Sequence, residues 1–245
     1  MPRIFIKPES ITDGHATLPE AEARRLFRVL RMRPGDSVTL FDGQCEMAAT
    51  IVSLNAKSAV LKVGERTGRD SEPPISITLG QGMPKGEKLE WVVQKAVELG
   101  VTALTPVVME RSVKRPDAAA AEKALTRLRR IAEEAARQSG RLRPPDIPGF
   151  MTLGEYLERT RQAELKIIFY EGEKTRGLRE VLHGASDVKN VALIVGPEGG
   201  LSEEEVRLAV EAGYVPVGLG PRILRSETAG ITALSLIQYE LGDLG

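Results

Sequence analysis

Three glycine-bearing loops near the end of the chain hold the residues that could do chemistry: YEGEKTRG at 170–177, GPEGGLSEEE at 196–205 and GPRILRSETAG at 220–230. Gly196, Gly199 and Gly200 would let a ligand approach the main chain closely. That ligand is not expected to be a phosphate, which needs free N–H groups at a helix start. Here Ser202 and Glu205 have the spacing of a capping box, so the hydroxyl and the carboxylate satisfy those groups. Glu203 and Glu204 add negative charge at the same end. The chain has no GxxxxGKS or GxxxxGKT, and GLGPRI at 218–223 lacks the third glycine of a dinucleotide fingerprint.

What remains is a ligand that needs close backbone approach without a strong anion. Main-chain N–H and C=O groups can read an adenine edge, and Glu171 or Glu198 would favour a cation. S-adenosylmethionine meets these demands, with an adenosine, an amino-acid tail, a positive sulfonium and no phosphate. The alternative is a set of tight turns with no ligand. In the last loop Arg222 and Arg225 flank the apolar pair Ile223–Leu224, which can enclose a ring. An arginine there could orient an RNA phosphate or stabilise charge on a base, or simply pair with Glu198 or Glu227. Ser226 is expected to cap the final helix.

The elements that carry these loops alternate. Apolar runs at 75–81, 104–108, 164–170, 191–195 and 214–220 read as strands. Helical stretches at 86–99, 118–139, 203–212 and 227–241 separate them, and Gly100 should stop the first. Five apolar strands separated by helices imply a largely parallel, buried sheet, whose ligands sit beyond the strands' carboxyl ends. Residues 1–72 differ: short strands at 37–43, 46–55 and 58–65, with one helix over 19–32, suggest a small barrel. The prolines of SEPP at 71–74 mark the boundary, giving expected domains 1–72 and 73–245.

Composition sets the outer limits. The chain has 245 residues, 42% hydrophobic and 28% charged, which is ordinary for a soluble protein. No apolar run is long enough to span a membrane and no signal-peptide core is visible, so a cytoplasmic protein is expected. Cys45 is single, and His15 and His183 lie in no zinc spacing, so no metal is expected. Net charge is zero, against a protein that coats nucleic acid indiscriminately. Charge is nonetheless clustered: 24–33 carries five arginines and no acid, and 123–143 is a second basic stripe. Both could contact phosphates, or could be solvated helix faces.

These segments resemble the RsmE family, the small-subunit ribosomal RNA uridine-N3 methyltransferases of the SPOUT class. The resemblance is carried by GPEGGLSEEE and LGPRILRSETAGITAL, with VLRMRPGD (29–36), KGEKLEWVVQKAVELGV (85–101), ERS (110–112) and RLRRIAEEAARQSGR (127–141) in order along nearly the whole chain. It implies an α/β SPOUT domain with a parallel sheet and a C-terminal trefoil knot, behind a small N-terminal PUA-like β barrel. It implies a homodimer, S-adenosylmethionine as cofactor, and small-subunit ribosomal RNA or the assembled 30S subunit as partner. The family's cofactor loops fall on 170–172, 196–201 and 219–229, which contain Tyr170, Glu171, Gly196, Gly199, Gly200, Leu219, Gly220, Ile223, Leu224, Thr228 and Ala229. Arg225 is the expected stabiliser of charge on a uracil carbonyl, and Glu198, Glu227 or water the expected proton acceptor. Arg3, Arg28, Arg31, Arg129, Arg130 and Arg137 are the expected RNA contacts. The chain has Arg24-Arg25-Leu26-Phe27 where the family often has a histidine. The competing readings are an RNA-binding assembly factor without chemistry, and a SPOUT enzyme acting on another RNA such as transfer RNA.

Overall fold

The computed structural model describes residues 1–67, 71–112, 116–185 and 187–245. Two compact units are present: Met1–Glu72 with Ala136–Pro144, and Pro73–Ala135 with Pro145–Gly245. The single cut expected near residue 73 therefore omits a segment. The stretch 136–144 counts with the first unit because Arg141 forms an ion pair with Glu72 (2.6 Å), while Leu142 N donates to the same carboxylate (2.8 Å).

In the first unit the strands are β1 (Arg3–Phe5), β2 (Ile11–Thr12), β3 (His15–Leu18), β4 (Ser37–Phe41), β5 (Glu46–Leu54) and β6 (Ala59–Thr67). They form one sheet in the order β1-β4-β5-β6-β3-β2, in which only β1 and β4 run parallel. The end strands β1 and β2 do not pair, so the expected barrel takes the form of a half-barrel. Its core gathers Ile4, Leu18, Val38, Leu40, Ile51 and Leu61, and α1 (Glu20–Arg24) adds Ala23. The helix expected over 19–32 stops early. Residues Arg25–Val29 form a π-helical turn instead, closed by Leu30 N to Arg25 O at 3.0 Å.

The second unit is built on β7 (Ser76–Gly82), β8 (Ala103–Val108), β9 (Met151–Thr152), β10 (Leu165–Phe169), β11 (Asn190–Val195) and β12 (Val215–Val217). They pair in parallel throughout, in the order β12-β10-β11-β7-β8-β9. The helices are α2 (Lys88–Glu98), α3 (Ala118–Ser139), α4 (Leu153–Arg159), α5 (Leu178–His183), α6 (Glu203–Glu211) and α7 (Ser226–Leu241). Both faces of the sheet are covered, so β11 is buried at every position after Asn190. On one face Ala192 and Ile194 join Leu153 and Tyr156 of α4 and Ala209 of α6. The other face receives α7, against which α2 and α5 pack. Gly100, at φ +79°, ends α2 in the left-handed region that a side chain disfavours.

Tyr156 shows how closely the layers meet. It is fully buried, and its hydroxyl donates to Leu193 O (2.9 Å) and Thr78 O (3.1 Å) at the sheet centre. The ring lies over Gly80, where a Cβ would come within 2.7 Å of it. Burial pushes the Tyr156 phenol well above its ordinary range.

Candidate cofactor site

The carboxyl ends of β10, β11 and β12 open into one cavity of about 280 Å³. The first wall is Phe169 with Tyr170, Glu171, Glu173 and Lys174; the second is Val195 with 196–198, Gly200 and Leu201; the third is 217–226 with Ala229. The three loops singled out by composition thus meet because adjacent parallel strands end side by side. Of the expected cofactor residues, Tyr170, Glu171, Gly196, Gly200, Leu219, Gly220, Ile223, Leu224 and Ala229 line the cavity, while Gly199 and Thr228 lie off it. Gly199 instead makes room for Arg111, whose Cβ would stand 2.9 Å from a Cβ at that position. Arg111 Nη1 in turn donates to Gly199 O and Leu201 O, both at 3.3 Å, and ties the loop from outside.

Gly200 holds φ +72°, and a Cβ there would lie 3.1 Å from Glu171 Oε1. Gly218 approaches Glu173 O as closely, since a Cβ would stand 2.7 Å away. Glu173 accepts from Thr175 Oγ1 (2.6 Å), Thr175 N (2.7 Å) and Arg176 N (3.0 Å). Those bonds, led by the Thr175 hydroxyl, hold its carboxyl down at about 2.

The helix that follows the middle loop opens on a capping box. Ser202 and Glu205 form the full capping box, with Glu205 N to Ser202 Oγ at 3.3 Å and Ser202 N to Glu205 Oε2 at 2.9 Å. The buried Glu205 also accepts from Glu110 N at 2.8 Å. The capping box thus takes up the N–H groups of Ser202 and Glu205, and three carboxylates stand in the same first turn of α6 and oppose an anion there.

Ser226 departs from the expected cap. It is the first residue of α7, buried, and Arg225 occupies the cap position without a side-chain bond. The Ser226 hydroxyl donates to Gly196 O (2.5 Å) and accepts from Gln81 Nε2 (2.8 Å). A side chain from β7 thus links the middle and last walls of the cavity. Gly230 lets Gln81 in, because a Cβ there would stand 2.7 Å from Gln81 Oε1.

Among the described residues neither Glu198 nor Glu227 pairs with an arginine. Both share Lys88 at the start of α2, with Nζ 2.8 Å from Glu198 Oε1 and 3.3 Å from Glu227 Oε1. Lys85 N also faces the Glu198 carboxylate, at 3.1 and 3.2 Å. Partial burial pushes the Glu198 carboxyl up, but the Lys88 and Lys85 bonds outweigh it and hold the group below its ordinary value. The hydrogen bond to Glu198 in turn raises Lys88. Glu198 is thereby a weaker base than an ordinary carboxylate, and Glu227 lies off the cavity wall. Lys88 carries no local sequence signal, since its partners lie 110 and 139 positions away. Arg225 and Arg222 are exposed at the mouth.

The six arginines expected at RNA divide. Arg3 donates to Glu46, Arg137 O and Gly140 O and stacks over Phe41 at 4.6 Å. Arg129 donates twice to Ile147 O, and Arg137 is largely buried against Glu22. All three bond the protein's own chain; Arg3 and Arg137 are largely covered by those contacts, whereas Arg129 stays exposed. Arg28, Arg31 and Arg130 are exposed. Among the described residues no helix is long and apolar enough to cross a membrane, and no cluster of three metal-ligating side chains occurs.

Two domain families match the chain. An RNA methyltransferase domain covers residues 71–238, and an RNA methyltransferase PUA domain covers 18–64. The fold and the cavity therefore belong to an RNA methyltransferase with a PUA module. The ribosomal RNA small subunit methyltransferase E of Bacillus subtilis is 36% identical over 228 residues, 89% of this chain and 88% of that protein. Its namesake from Synechocystis is 33% identical over 96% of this chain and 76% of its own length. The Neisseria gonorrhoeae ribosomal RNA small subunit methyltransferase E, solved bound to S-adenosyl methionine, matches with a TM-score of 0.90 at 34% identity over 100% of both chains. A methyltransferase structure from Legionella pneumophila with bound SAM also reaches 0.90, at 35% identity over 99% of this chain and 98% of its own. The chain belongs to the ribosomal RNA small subunit methyltransferase E family.

Proposed function

We propose that this protein transfers a methyl group from S-adenosylmethionine to N3 of one uridine in small-subunit ribosomal RNA. The observation that carries this reading is the cavity itself. Its walls pair apolar side chains with glycine backbone and two acids, Glu171 and the Lys88-bound Glu198, while the adjacent helix start carries a capping box and three carboxylates. That suits an adenosine and a sulfonium and rejects a nucleotide polyphosphate. Tyr170, Gly196, Gly200, Leu219, Gly220, Ile223, Leu224 and Ala229 would hold the cofactor. When bound, it supplies an activated methyl group whose leaving group is a neutral thioether.

The chain's own residues have two tasks. They must hold the base in line, and they must favour loss of the N3 proton, because the neutral imide is a poor nucleophile. Arg225, fixed at the cap of α7 and open to the cavity, is the cation for charge that develops on the uracil carbonyl. Glu198 is held ionised by Lys88 and serves to keep the loop in place, and Glu227 shares that lysine. The N3 proton passes to solvent at the open mouth. RNA is held by exposed cations, Arg28 and Arg31 in the first unit and Arg130 in the second.

The reading extends to assembly. Leu236 and Tyr239 of α7 stay exposed in a single chain, apolar surface that a second copy in a homodimer would cover. The Ser226 tether, which draws the start of α7 between β7 and the loop after β11, supports a trefoil knot at this end of the chain. Activity on ribosomal RNA, free or in the assembled 30S subunit, would place the protein in the cytoplasm. Isothermal titration with S-adenosylmethionine and with ATP tests the cavity, and mass spectrometry of ribosomal RNA from a deletion strain tests the product. Tight ATP binding, or an unchanged methylation pattern, would overturn the proposal.

A further inference from the structure

The π-helical turn in the first unit leaves apolar side chains in solvent. Leu26 is buried, yet Phe27 is 45% exposed, Val29 73% and Leu30 40%. In an α-helix Val29 and Leu30 would follow Leu26 onto one face. The wider turn, with Leu30 N bonded to Arg25 O and Met32 N to Leu26 O, swings them outward. Arg31 then takes a φ of +52°, a left-handed conformation unusual for a residue with a side chain. Such strain tends to persist where it serves a site.

The charges around these side chains are equally uneven. Arg24 pairs with Glu20, and Arg25 with Glu22 at 3.3 Å. Arg28, Arg31 and Arg33 are exposed, and no carboxylate among the described residues forms an ion pair with them. Apolar and basic side chains therefore alternate along one short exposed turn: Phe27, Arg28, Val29, Leu30, Arg31.

This alternation chooses among partners. The core of a protein interface is depleted of charge, whereas here cations separate the apolar groups. A membrane-surface helix sorts its apolar and basic residues onto opposite faces over several turns, whereas here Arg28 and Arg31 sit among the exposed apolar side chains at the end of a ten-residue helical run. Bases inside a duplex hide their faces, but an unpaired base offers a π-face to an aromatic ring beside its own phosphates. The geometry points to the turn at 25–31 as a docking surface for unpaired RNA, with Phe27 stacking on a base and Arg28 and Arg31 holding the flanking phosphates. The inference rests on the RNA substrate proposed above and adds that the first unit selects single-stranded over paired RNA.

Fluorescence anisotropy of the full-length protein with a labelled single-stranded RNA and a duplex of equal length, at several salt concentrations, tests it. The wild type is expected to prefer the single strand. Phe27→Ala should lose about five-fold or more on the single strand and little on the duplex, with its salt slope unchanged. Phe27→Trp should retain the preference. The double substitution Arg28→Ala and Arg31→Ala should weaken both RNAs and flatten the salt dependence. Thermal melting and S-adenosylmethionine titration of each variant should match the wild type. A Phe27→Ala protein that bound single strands normally, or one whose sedimentation changed while RNA binding did not, would overturn the inference. Failure of the wild type to bind the cofactor would sink the methyl-transfer proposal while leaving the RNA comparison readable.

Discussion

Lys88 Nζ lies 2.8 Å from Glu198 Oε1, so a residue that opens α2 holds the loop that follows β11. The same ammonium reaches Glu227 in the first turn of α7 at 3.3 Å. One cation therefore ties the middle wall of the cavity to the first turn of α7. Lys88→Met should leave two carboxylates without it and let the 196–201 loop shift. An expected loss of a few-fold in cofactor affinity is the scale of a solvent-screened ion pair. Lys88→Arg should recover most of the affinity. The decisive comparison is a double-mutant cycle read by calorimetry: Lys88→Met should cost little in a Glu198→Gln, Glu227→Gln background. An undiminished cost there would detach the lysine from these acids.

The Gln81–Ser226–Gly196 chain makes a prediction about stability as well as binding. Gln81 is wholly buried, and its Oε1 has no partner among the described residues. Ser226→Ala would remove the shorter of the two bonds that its Nε2 donates, leaving only Gly82 O at 3.3 Å, at an expected cost of about 1 kcal/mol in urea denaturation. Because the bond to Gly196 O disappears with it, cofactor affinity should fall in the same variant. Gly230→Ala should mimic the effect from the other side, by pressing on Gln81. A Ser226→Ala protein of wild-type stability would refute the chain's role.

Much of this arrangement was legible before any coordinates, and the reasons for the gaps are physical. The helix over 118–139 has the bounds expected of it, since long Ala- and Arg-rich periodicity needs no tertiary help. The five apolar runs became strands because a parallel sheet buried on both faces requires continuous hydrophobicity. Short elements were invisible: RIF, HATL and the seven-residue α4 contain too few residues to show a period. The helix expected over 19–32 is present over 20–29, but its second half is π, and nothing in apolar spacing distinguishes an α-turn from a π-turn. The glycine loops announced the cavity, but not the residues that brace it. Lys88, Gln81 and Arg111 act across 88 to 145 positions of sequence, and only the folded sheet brings them there.

Gly80 and Tyr156 predict the sensitivity of the sheet core. In Gly80→Ala the new methyl would stand 2.7 Å from the ring, with no void to receive it. Overpacking of this kind costs about 1–3 kcal/mol. Tyr156→Phe keeps the ring but loses the bonds to Leu193 O and Thr78 O, and should cost about 1–3 kcal/mol. Since the two sites touch, their effects should not add in the double variant. Chemical denaturation of the three proteins checks this, and simple additivity would count against the contact.

Acid should loosen the first wall of the cavity in a defined window. Glu173 has a folded value of about 2 against an ordinary 4.5, so its bonds are fully present above the latter. A depressed carboxyl contributes stability that is lost as pH falls through the folded value. Carboxyl-carbon NMR should therefore show Glu173 titrating near 2, with the amides of Thr175 and Arg176 moving in step. Glu173→Gln should abolish that response. Titration near 4.5 would mean that the turn at 173–176 does not hold this carboxylate in solution.

Arg225 carries the chemical part of the proposal. It caps α7 without a side-chain bond to the helix, is exposed, and lines the cavity beside Ser226, whose position is fixed by Gln81 and Gly196. A cation held there lowers the cost of charge on a uracil carbonyl only while the N3 proton is leaving, so its removal should act on the transition state more than on ground-state binding. Arg225→Ala is expected to lower kcat by about 100-fold or more, the scale of losing one preorganised donor to developing negative charge, with cofactor affinity nearly unchanged. Arg225→Lys should recover part of the rate, because charge is kept while the planar fork is lost. If the defect appeared wholly in KM for RNA and kcat stayed intact, Arg225 would be a phosphate contact, and the charge on the carbonyl would need another partner.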